Sequence, residues 1–190
     1  YPDPILPADL GYSDYLRRHG FDGDNPWETW ANSAVNGQGE IVSGWQMRNA
    51  GLAARVPEEH SETAFVTDRA IDYIDGLQAN DRWCIHLSYI KPHWPYLAPA
   101  PYHELYGAEE VLPAVRSNQE KENPHPVYQA FMAQDYSENF SRDEVRQTVI
   151  PTYMGLIQHV DHHIGRVLTK LEEKGLRDST MIVLTSDHGD

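Results

Sequence analysis

The sequence predicts an α/β fold, a mainly parallel sheet flanked by helices, and two stretches carry that prediction. Residues 61–77 repeat apolar side chains at helical spacing and lead, through Asn80 and Asp81, into the β-branched and aromatic run 83–90. The same order recurs at 153–171, where a helical stripe is followed by a turn at Asp178 and Ser179 and by an apolar run from Met181 to Leu184. Helix, short turn and strand in that order is how sheets with helical crossovers are written. At 190 residues the chain suits one globular unit rather than two.

Taken in order, residues 1–7 hold Pro2, Pro4 and Pro7 and read as an extended entry segment. Residues 9–19 read as a short helix with Tyr12, Tyr15 and Leu16 on one side and Gly20 as its left-handed stop. Asp22, Asp24 and Glu28 faintly resemble a calcium loop but lack its central Gly and later acidic ligand. The competing reading is a short helix capped by Asn25, opened by Pro26 and containing Trp27 and Trp30. Residues 32–60 show no sustained period and are expected to be a long loop.

Ser61 is placed to cap the helix that follows, whose apolar stripe is Val66, Ala70, Tyr73, Ile74 and Leu77. Pro92 stops the run 83–90. Residues 91–140 are punctuated by Pro92, Pro95, Pro99, Pro101, Pro113, Pro124 and Pro126, and are expected to form a wall of the active site. Ser141-Arg-Asp-Glu144 has the pattern of a capping box, with Pro151 marking a kink or a second start. The stripe Tyr153, Leu156, Ile157, Val160, Ile164, Val167, Leu168 and Leu171 then keeps the helical period up to Gly175.

A formal charge of −14 argues against nucleic acid or an anionic membrane as partner, since either needs a surplus of Lys and Arg on some face. No apolar run approaches the roughly 20 residues that span a bilayer. The chain opens at Tyr1 without a basic and apolar leader, so any signal peptide would lie outside it. One cysteine, Cys84, allows neither an intrachain disulfide nor a cysteine-based zinc site; a reducing compartment such as the cytoplasm is compatible, and location is otherwise open. Assembly into a homo-oligomer is left open.

Four groups of residues could carry chemistry. Asp187 and His188 leave the end of the last predicted strand together, one hard and one intermediate ligand, and Gly189 lets the backbone turn so that they converge. The competing reading is a solvated turn. Lys91 and His93 flank Pro92 just past the other predicted strand. In a parallel sheet both strand ends share one rim, where a Lys attracts an anion and a His can protonate a leaving oxygen.

His159 and His163 stand four apart on the long helix, with Asp161 between them, and could clamp a metal from one face. A solvated face, with Asp161 pairing to Arg166, is the expectation here. Cys84 falls between Trp83 and Ile85 and is expected to be a buried thiol rather than a nucleophile.

Together, Leu87-Ser-Tyr-Ile-Lys-Pro-His-Trp-Pro-Tyr96, Pro99-Ala-Pro-Tyr-His-Glu-Leu-Tyr106, Tyr153-Met-Gly-Leu-Ile157, Val160-Asp161, Ile164-Gly-Arg-Val167 and the run from Thr180 to Asp190 resemble the type I sulfatases. Within them the chain looks most like the phosphonate monoester hydrolase and arylsulfatase branch of the alkaline phosphatase superfamily. The resemblance implies part of an alkaline-phosphatase-like sandwich and hydrolysis of a small anionic sulfate, phosphate or phosphonate ester. It also implies one divalent metal ion, Ca, Mn or similar, and a formylglycine nucleophile. By motif, Asp187 and His188 would be metal ligands, Lys91 would contact the ester oxygens, His93 would assist the leaving group, and Asp161 would be structural.

The Cys/Ser-x-Pro/Ala-x-Arg motif that yields formylglycine does not occur in the 190 residues. The nucleophile is therefore expected outside this chain, which reads as an internal part of a longer enzyme, inactive by itself. Two alternatives remain: a non-catalytic binding module that keeps the sheet, and a phosphotransferase or mutase of the same superfamily. A metal-storage or sensing domain built on the helical His cluster is a third.

Overall fold

The computed structural model describes residues 11–78 and 80–189. The proline-rich entry segment and the first predicted residues of the first helix, 9 and 10, lie outside the described residues. Helix α1 spans Tyr12–Arg18 and ends before Gly20, whose φ of 85° is the expected left-handed stop. Asn25 and Pro26 lead into a single π-helical turn, Trp27–Ala31, and the Asn25 side chain accepts the Glu28 N–H at 3.3 Å.

The stretch expected to be a loop contains a hairpin. Strands β1 (Ser33–Val35) and β2 (Ile41–Ser43) pair antiparallel, with Ser33 opposite Ser43 and Val35 opposite Ile41. The Asn36 carboxamide holds the turn by accepting the N–H groups of Gln38 and Glu40 at 3.0 and 2.9 Å. Strands of three residues are too short to display a period, which is why the pattern was silent.

Helix α2 (Glu62–Gly76) begins where Ser61 was placed: its hydroxyl accepts the Ala64 N–H at 3.1 Å. Short helices α3 (Gln119–Glu122), α4 (Pro126–Met132) and α5 (Asp135–Ser141) occupy the proline-punctuated region. Helix α6 (Asp143–Glu173) runs unbroken for 31 residues through Pro151. Ser141 is not its cap. It closes α5, with its hydroxyl donated to the Glu138 carbonyl at 2.6 Å, and α6 starts two residues later.

Against α6 and the loop 94–102 sits the main core: Ala50, Tyr96, Ala98, Val149 and Leu156, with Met47, Trp94, Tyr102, Phe140, Val145 and Tyr153 packed around them. Full burial of an aliphatic side chain such as Leu156 contributes roughly 1.5–3 kcal/mol. Gly155 faces the 3-10 turn Tyr102–Glu104, and a β carbon there would run into the Tyr102 carbonyl oxygen. The absent side chain lets that turn lie directly on α6.

The two runs predicted as strands, 83–90 and 181–184, follow their helices in the expected order. Neither makes a sheet ladder among the described residues. The apolar side chains of 181–184 face outward, with Met181, Val183 and Leu184 75–90% exposed, and in the earlier run Ile85 and Ile90 are exposed. Cys84 is exposed too, contrary to the expectation of a buried thiol, because no neighbouring strand among the described residues covers its run. Among the described residues no helix is long and apolar enough to cross a membrane.

Candidate functional site

The loop after residue 90 is folded by its own polar groups. Lys91 Nζ donates to the Pro95 carbonyl at 2.6 Å and to the His93 carbonyl at 3.2 Å. His93 Nδ1 lies 2.6 Å from the Trp94 carbonyl, which can only accept, so the ring proton sits on Nδ1 and the neutral lone pair on Nε2. The run before it is tied to α2, where the Tyr89 and Thr67 hydroxyls are 2.9 Å apart. Glu62 and Thr63 of α2 line a cavity of about 40 Å³ together with Tyr89 and Lys91. Burial of the Glu62 carboxyl raises its pKa, while the Trp27 indole N–H and the charge of Lys91 act the other way.

Asp187 and His188 present their ligand atoms side by side: Asp187 Oδ2 and His188 Nε2 are 3.6 Å apart, on exposed side chains. His188 Nδ1 is 2.6 Å from the Gly189 carbonyl, which fixes the proton on Nδ1 and the lone pair on Nε2. That is the tautomer a metal-bound imidazole needs, with its remote N–H held by an acceptor. One carboxylate and one imidazole so arranged suit a divalent cation. The ring of His93 comes within 6.4 Å of the ring of His188, so the loop end and the chain's last turn meet.

A third group was not expected in this form. Oε1 of Glu58 lies 2.7 Å from His163 Nε2 and 3.1 Å from His159 Nε2, and both imidazoles are 1% exposed. His159 and His163 thus lie on the buried side of α6, in register with Thr152 and Leu156, and not on a solvated face. Asp161 is not the partner of Arg166. That guanidinium pairs with Asp68 of α2 at 2.7 Å, across the helix pair. Burial lowers the His159 pKa to about 4 and pulls that of His163 down as well. For Glu58, burial acts upward, and the hydrogen bond and charge of the histidines more than reverse it, leaving its pKa lowered.

The three ligand-type atoms of Glu58, His159 and His163 lie within 4.8 Å of one another, a composition suited to a metal ion. The outer contacts decide otherwise. Arg166 Nη1, an obligate donor, is 3.1 Å from His163 Nδ1. The His163 proton therefore belongs on Nε2, where it is donated to Glu58. A metal on Nε2 would move that proton to Nδ1, against the guanidinium N–H. As it stands, the cluster is a hydrogen-bonded clamp between the 3-10 turn Glu58–His60 and α6.

The sequence profile of the Sulfatase family matches residues 12–190. The chain belongs to the sulfatase family. It is 35% identical, over 154 residues, to the multifunctional alkaline phosphatase superfamily protein PehA of Trinickia caryophylli, covering 72% of this chain and 29% of that protein. The choline-sulfatase of Rhizobium meliloti is 27% identical over 98% of this chain and 35% of its own length. Among solved structures, the phosphonate monoester hydrolase SpPMH of Silicibacter pomeroyi superposes with a TM-score of 0.67 at 28% identity, over 88% of this chain and 33% of that one. This sulfatase-family chain thus has an alkaline-phosphatase-like α/β fold and spans about a third of the length of these relatives. The family is metal-dependent.

Proposed function

We propose that the chain is the part of a metal-dependent hydrolase of sulfate or phosphonate/phosphate esters that supplies half of the metal shell and the leaving-group acid. The observation that carries this reading is the approach of His93 to His188, each with its proton fixed on Nδ1 by a backbone carbonyl. Asp187 and His188 would hold the divalent ion, which when bound polarises the ester oxygen and balances negative charge. His93, anchored through Nδ1–H on the Trp94 carbonyl, presents Nε2 outward. Protonated there, it delivers a proton to the departing oxygen and returns as a base in the reverse direction. Lys91 stands on the same loop as His93, its ammonium bonded to the carbonyls of residues 93 and 95.

The nucleophile, formylglycine by the family's chemistry, is assigned to sequence beyond these residues. The substrate is a small anionic ester like those named for the relatives.

The test is turnover of 4-nitrophenyl sulfate and of an aryl phosphonate monoester by the protein encoded by the whole gene, with and without chelator. Turnover that chelation abolishes and that His188→Ala loses supports the proposal. Saturable ester binding without turnover favours the non-catalytic binding module instead, and chelator-insensitive hydrolysis overturns the metal assignment.

A further inference from the structure

We infer that Lys91 is a positioning residue for His93, acting through the loop carbonyls and not by direct contact with the ester. The inference rests on the hydrolase reading for its consequence in catalysis, though not for its structural content. Three successive carbonyls, of residues 93, 94 and 95, turn inward on the loop. Lys91 Nζ takes the first and third, at 3.2 and 2.6 Å, and the His93 ring takes the second, at 2.6 Å. Pro92 and Pro95 have no N–H to offer, so side chains supply donors that the backbone of this loop lacks.

The ammonium therefore holds together the two peptide units that flank the acceptor of His93. Remove it and the Pro95 carbonyl loses its short charge-assisted bond. The Trp94 carbonyl is then free to turn, and the imidazole loses the acceptor that keeps its proton on Nδ1. On its other side the charge of Lys91 is felt by the largely buried Glu62 carboxyl of α2, with which it lines one small cavity. Lys91 thus joins α2 to the loop, a location suited to alignment. A point charge meant for a substrate oxygen needs fewer protein acceptors around it.

Two measurements test this. Imidazole ¹⁵N spectra of the 190-residue chain should show neutral His93 as the Nδ1–H tautomer. Lys91→Met should convert it to a mixture containing the Nε2–H form, with Lys91→Arg staying nearer the wild type. A wild-type His93 found as the Nε2–H form, or a Lys91→Met variant with unchanged ¹⁵N shifts, overturns the inference without any assay of activity.

In the protein encoded by the whole gene, Lys91→Met should lower kcat by about 10- to 100-fold, as small misplacements of a catalytic group do. Inhibition by inorganic sulfate or phosphate should then stay within about twofold of wild type. An intact kcat with inhibition weakened about tenfold or more would mean direct contact with the anion. Should neither ester class be turned over while the tautomer shifts as described, the hydrolase reading fails and the positioning role stands.

Discussion

Oε1 of Glu58 accepts a hydrogen bond from Nε2 of His163 at 2.7 Å, and with it the turn that precedes α2 is fastened to the middle of α6. His159 joins the same oxygen at 3.1 Å. The hydroxyl of Ser61, which caps α2, lies 3.4 Å from His159 Nε2. The entry to α2 and the buried imidazoles therefore form one unit.

Stability should fall in mild acid because of this unit. The His159 pKa is lowered by burial from 6.5 to about 4, so the unfolded chain takes up a proton that the folded chain refuses. The contribution is complete above about pH 6.5 and is lost as the pH falls toward 4. Its size is of order 2–3 kcal/mol for a group this buried. Urea unfolding at pH 7 and pH 4.5 measures it. His159→Gln should show a distinctly smaller decline over the same interval, and an equal decline would remove His159 as the cause.

Replacing Glu58 separates charge from contact. Glu58→Ala should destabilise the chain by about 2–3 kcal/mol, because two buried imidazole N–H groups lose their acceptor. Glu58→Gln keeps an oxygen at the same reach and should cost about half as much. Equal losses in thermal or urea unfolding would show that the contact geometry does not matter.

Two glycines of α6 should respond with opposite sign to the same substitution. Gly155→Ala forces the new methyl against the Tyr102 carbonyl and should cost about 1–3 kcal/mol. At Gly165 a β carbon meets nothing within 4 Å, so Gly165→Ala should stabilise by roughly 0.5–1 kcal/mol through helix propensity. Thermal unfolding of both variants decides this, and a Gly155→Ala protein as stable as wild type would contradict the close approach described above.

Added Mn²⁺ should select between the two histidine groups. Paramagnetic broadening is expected first at His188, with Asp187→Asn weakening it, while the resonances of His163 persist because its outer nitrogen faces Arg166. Broadening centred on His159 and His163 would show that Arg166 yields and that the clamp is a metal centre.

What could be read from the residues alone was whatever had a local cause. Ser61, Gly20 and Asn25 act within a few positions of themselves, and the structure uses each at the expected place. The stripe on α6 was legible in period but not in content. Its buried side continues from Thr152 and Leu156 to His159 and His163, and an imidazole counts as polar until its partner is known. That partner, Glu58, comes from a segment without pattern, about a hundred residues away along the chain. Spacing alone pairs Asp161 with Arg166, its near neighbour on one helix. The guanidinium instead spans to Asp68, a choice fixed by helix packing that spacing cannot express. At the loop, Lys91 and His93 were recognised by their types, while the carbonyls that bind Lys91 became visible only once the backbone was folded.

The outward-facing run 181–184 also governs how the chain should behave in a tube. An uncovered apolar stretch of β-forming residues is a template on which another copy can add. The net charge of −14 keeps copies apart over a distance that shrinks as ions are added. Salt would therefore promote clumping by weakening repulsion while leaving the sticky stretch intact. The particle size found in a high-salt buffer would report that stretch, and a low ionic strength is the condition under which to store and handle the chain.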